Sequence, residues 1–144
     1  QQAEATEHIQ QAQAAREAAV FHLHGAMLAF LQELVRYYRL ADPTPTFKSI
    51  EELMAAKGRI SPEISILQKL AKDGFIAELK RAYRLCQYAP EPSTHEPEQE
   101  TSSNLIIKVT QTPQAWLPDL KILREWHRDL TQLIDGFRNE MVEF

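Results

Sequence analysis

At 144 residues, 44% hydrophobic and 25% charged, the chain has the size and composition of one globular domain with a single core. Its one cysteine, Cys86, excludes an internal disulfide framework and any multi-cysteine metal site. A net charge of −4 and a pI near 5.7 argue against a nonspecific nucleic-acid binder.

No run approaches the roughly 18 uninterrupted apolar residues of a membrane span. No basic region followed by an apolar core and a small-residue cleavage site opens the chain. A cytoplasmic protein with no membrane partner is the expectation. The start at Gln1 rather than at a methionine leads us to expect residues ahead of it.

Residues 1–11 are polar helix formers and read as the exposed beginning of a long helix that continues from Ala12 to Leu40. Val20, Leu23, Met27, Leu31, Leu34 and Tyr38 form one apolar stripe along it. Phe21, Leu28 and Val35 repeat every seven residues beside that stripe, which predicts burial on more than one side. Gly25, the one glycine in this stretch, is read as a point of close approach for a neighbouring helix, and Asp42-Pro43 as the exit turn.

Ser49-Ile50-Glu51-Glu52 has the form of a capping box and opens a short second helix, with Gly58 as its C-terminal cap. Ser61-Pro62-Glu63 opens the third, serine capping and proline at the first helical position. Asp73-Gly74 interrupts it, and Asp73 is expected to cap a fourth helix from Phe75 to about Tyr88. Residues 89–104 hold no large apolar side chain and carry four glutamates, so a mobile acidic loop is expected there. Leu105–Val109 is the one strand-like run, expected to lie extended on the helices. From Asp119 to near Phe144, Leu123, Trp126, Leu130, Leu133 and Phe137 recur at threes and fours, the pattern of a last long helix. The fold class is therefore all-α: a single domain over 1–144, an irregular bundle with long first and last helices and shorter ones between.

Motifs for chemistry are sparse. His22 and His24 point about 200° apart on a helix and cannot share an ion, and neither the Glu-x-x-His nor the His-Glu-x-x-His pattern occurs. No metal and no cofactor is expected. Arg16 and His22 have the spacing of the Arg-x4-6-His motif of HEPN-type ribonucleases, although helical geometry sets them about 120° apart. Arg124 and His127, three residues apart, make a second Arg/His pair on one helix face. Arg36, Tyr37 and Arg39, with Lys80, Arg81 and Arg84 on the fourth helix, form a basic and aromatic set that could meet phosphates or bases.

Over Arg16–Leu40 and Ser61–Leu85, about two thirds of the chain with the final helix loosely included, the sequence resembles an uncharacterised helical family, a domain of unknown function of Pseudomonas-like gammaproteobacteria. The resemblance implies a bacterial cytosolic helical protein and brings no functional residue. The leading expectation is a noncatalytic interaction or assembly module, with a homodimer or another protein as partner. The alternative is a HEPN-like ribonuclease or nucleic-acid-binding bundle using Arg16, His22 and the Arg36–Arg39 patch.

Overall fold

The computed structural model describes residues 2–88 and 117–142, side chains at 3–88 and 117–141. The expected acidic loop and strand-like run lie outside the described residues. Among the described residues there are five helices: α1 (Gln2–Tyr37), α2 (Phe47–Ala56), α3 (Pro62–Asp73), α4 (Phe75–Gln87) and α5 (Leu120–Val142). No strand occurs among the described residues.

The predicted stripe of α1 is the spine of the core. Val20, Leu23, Met27, Leu31 and Leu34 are all buried, joined by Phe30 and Val35. α4 and α5 flank α1 on either side of this stripe. Tyr83 of α4 stacks on His24 and meets Phe21 edge-on, with ring centroids 3.7 and 5.2 Å apart. Phe137 of α5 stacks on Phe30, and Arg138 makes a two-point ion pair with Glu33. The start of α5 lies beside Ala19 and Leu23, so α5 runs parallel to α1. Burial of Leu123, Trp126, Leu130, Ile134 and Phe137 closes the core from that side.

Several boundaries differ from expectation. α1 ends at Tyr37, ahead of the prolines, in a Schellman turn: Leu40 N–H donates to Val35 O at 2.9 Å and Arg39 N–H to Arg36 O at 3.2 Å. Arg39 takes the left-handed position at φ 56°, where glycine is the usual occupant. α2 begins three residues earlier than the Ser49 reading. Thr46 is its cap and Ser49 the reciprocal partner, each backbone N–H donating to the other's hydroxyl. The early start buries Phe47, which the later one would have left in the loop. Gly58, at φ 71°, closes α2 as expected. Ser61 caps α3 as expected, but Asp73 does not cap α4. Gly74 occupies that position with no side-chain bond, because a Cβ there would sit 2.8 Å from Leu70 Cδ2 and 3.1 Å from its Cα.

The expected burial of α1 on more than one side is met, with Val35 buried, but it does not extend to the rest of the second apolar set. Phe21 and Leu28 are each 43% exposed, and a Cβ built on Gly25 meets nothing within 4 Å. The cause is coverage: α4 and α5 take two flanks and the interior a third, and no described element lies on the fourth. The direct consequence is a contrast within one turn. In dilute solution Leu31→Ala is expected to lower unfolding free energy by about 3 kcal/mol or more, the cost of a cavity in a packed core. Leu28→Ala, half in water, is expected to cost less than about 1 kcal/mol. Urea denaturation of the two variants checks this.

Candidate functional site

The open face of α1 follows from helical arithmetic. At 100° per residue, Ala14, Ala18, Phe21, Gly25, Leu28 and Gln32 fall within about 80° of one another, roughly 140° around from the Val20–Met27–Leu34 line. All but the half-buried Gln32 are exposed. With Glu7 and Gln11 before them, these positions alternate by fours and threes, the a/d spacing of a coiled-coil seam. The signal was legible as the seven-residue repeat of Phe21 and Leu28. It was assigned to the core because sequence alone does not say how many sides of a helix are covered.

Gly25 stands at the middle of this seam. An exposed glycine inside a helix costs about 1 kcal/mol relative to alanine, and among the described residues nothing lies within 4 Å of a Cβ built on it. Ahead of the seam, Ala3–Ala15 extend past the ends of α4 and α5 as a helical overhang, exposed throughout except for the half-buried Gln13. The overhang carries Glu4 and Glu7, both exposed.

The other end of α1 is basic. Tyr37, Tyr38 and Arg39 line a pocket of about 440 Å³ with Lys57 and Arg59 from the α2–α3 turn. Lys57 Nζ donates to Arg39 O at 3.2 Å. Below the pocket the Tyr38 hydroxyl donates to the buried Glu63 carboxylate, which also accepts from Ser61 Oγ at 3.0 Å. Burial and the Glu63 hydrogen bond push the Tyr38 hydroxyl up to about 12. Arg36 is exposed in the last helical turn. Thus Tyr37 and Arg39 gather with Lys57 and Arg59, two residues that carried no local signal of this role, and Arg36 is not among the residues lining that pocket. Arg81 instead lines a groove with Trp126 between α4 and α5, and Arg84 is exposed in the last turn of α4.

The histidines separate similarly. His22 lines a shallow apolar groove of about 370 Å³ between α1 and α5, together with Leu23, Leu123, Arg124 and His127. Arg16 is not among its lining residues; it is half-buried, its Nε without a hydrogen-bond partner among the described residues. The structure therefore brings His22 to the Arg124–His127 pair rather than to Arg16. A cation in that groove would face the Arg124 guanidinium, and among the described residues no group of three His, Cys, Asp or Glu side chains could hold a metal ion.

His24 lies flat on Tyr83, its Nδ1 buried and without a hydrogen-bond partner among the described residues. Burial, and secondarily the charge of Lys80, hold its pKa below the ordinary 6.5. The unfolded chain regains the ordinary value, so below about 6.5 it binds more protons than the folded chain. This contribution to stability is full above that pH and is lost as pH falls through the window below it. Thermal melts are expected to show stability falling from pH 7 to 5, with a shallower fall in His24→Phe, which keeps the ring against Tyr83.

Neither the curated proteins nor the solved structures contain a match to the chain. A family model does match, over residues 1–144, and its description is a family of unknown function. The full-length match shows that the chain belongs to this family, DUF6586.

Proposed function

We propose that the protein is a noncatalytic helical assembly module and that the open face of α1 is its working surface, paired with a second copy. The observation that carries this reading is the exposed Phe21–Gly25–Leu28 seam on the same helix that organises the core. Water gains nothing from Phe21 and Leu28, whereas a facing helix would bury both at about 25 cal/mol per Å² of apolar surface. The glycine between them lets a partner backbone come close.

A bilayer is the competing cover. α1 holds an 18-residue stretch long and apolar enough to cross a membrane, 44% of which is buried inside the bundle. The flanks of that stretch are held by α4 and α5 through Tyr83, Phe137 and Arg138. Only one face is free, which suits a helix partner better than a surrounding lipid phase.

The basic pocket at Tyr37, Arg39, Lys57 and Arg59 supports a second reading, contact with phosphates of a nucleic acid. It is weaker because the open seam itself is apolar and uncharged between Gln11 and Gln32 apart from the edge residues Glu17 and His22.

Sedimentation equilibrium at micromolar concentration is expected to show a mass above the 16.6 kDa chain. Phe21→Glu with Leu28→Glu should return it to monomer with its helical circular dichroism retained. A wild-type chain that stays monomeric, or floats with lipid vesicles instead of self-associating, would overturn the reading.

A further inference from the structure

We infer that two copies pair antiparallel along α1, so that the acidic overhang of one copy lies on the basic end of the other. The inference rests on the assembly reading above and adds the direction and register of the pairing.

Charge chooses the direction. Glu4 and Glu7 mark the exposed start of α1, and Arg36 and Arg39 its exposed end, with Lys57 and Arg59 beside Arg39. A parallel pair would set glutamates against glutamates at one end and arginines against arginines at the other. An antiparallel pair sets unlike charges together at both ends, since a two-fold axis repeats every contact.

Shape chooses the register. Antiparallel seams place an a position of one helix opposite a d position of the other. With the axis near residue 23, Phe21 of each copy falls opposite Gly25 of the partner subunit, and Leu28 opposite Ala18 of the partner subunit. Each large side chain thus meets a small one. The open space above Gly25 is the seat for the facing phenyl ring, which gives this glycine a reason that the described residues of its own chain do not supply. The same register brings Glu7 opposite Arg39 of the partner subunit. Arg39 holds a backbone position that favours glycine, and the pairing gives its side chain a use there. The overhang, uncovered within one chain, then lies along the partner's residues 31–43.

Spin labels at His8→Cys, in a Cys86→Ser background, read the direction. Thirty residues separate position 8 from its antiparallel counterpart 38, so the two labels are expected roughly 45 Å apart, against about 15 Å or less in a parallel pair. Glu7→Arg and Arg39→Glu should each weaken the dimer by about three- to tenfold, exposed pairs being individually small but present twice. The double variant should restore it. Gly25→Ala is expected to raise the stability of the dilute monomer and yet weaken association at least about tenfold.

A dimer with closely spaced labels would overturn the antiparallel assignment and leave the assembly reading standing. A dimer unaffected by Phe21→Glu with Leu28→Glu would overturn both, as would a strict monomer. Failure of the charge-exchange double variant to recover affinity, or a Gly25→Ala dimer as tight as wild type, would overturn the register.

Discussion

A helix can bury only as much of its length and girth as its neighbours can cover, and the rest of this structure depends on that constraint. The 36 residues of α1 span about 54 Å, whereas α2, α3 and α4 span about 15–20 Å and α5 about 35 Å. The Val20–Leu34 stripe supplies the surface against which the bundle closes. The overhang and the far face remain because no described element reaches them. Core and candidate interface are therefore two sides of one helix, and neither is intelligible without the other.

The other contacts fix α1 rather than add to it. His24 stacked on Tyr83 holds α4, while Phe30 on Phe137 and Glu33 with Arg138 hold α5. The bond from Tyr38 to Glu63 ties the end of α1 to the start of α3, and Ser61 both caps that helix and shares the carboxylate. Burying Glu63 is tolerable because it has these two hydroxyl donors. With its end anchored and its flanks held, α1 presents the Phe21–Leu28 face on a rigid support, which lowers the entropy lost when a partner docks.

Much of this architecture was legible in the residues. Spacing alone identified the buried stripe of α1, the seam of α5 and the Ser61-Pro62 entry to α3. Boundaries failed where two residues could play one part. Thr46 and Ser49 both present a hydroxyl with a partner three residues on, and the burial of Phe47 decides between them. Asp73 looked like a cap, but the close approach of Leu70, one turn back in α3, to Gly74 sets that turn, a backbone detail that periodicity does not record. The same limit applies to the site. Phe21, Leu28 and Val35 are visible as a repeat, of which only Val35 is buried, because periodicity reports a face and not what faces it. The gathering of Lys57 and Arg59 around Arg39 depends on how the α2–α3 turn folds back, and Arg16 and His22 share a spacing without sharing a surface.

The central claim is that α1 is covered by its own chain on one side and by a second copy on the other. Hydrogen–deuterium exchange along α1, followed over a hundredfold range of protein concentration, tests it most directly. Amides of residues 20–35 should stay protected throughout, while those of residues 3–15 should exchange fast when dilute and slow as concentration rises. Exchange in 3–15 that is independent of concentration, or rapid exchange across 20–35, would contradict the account.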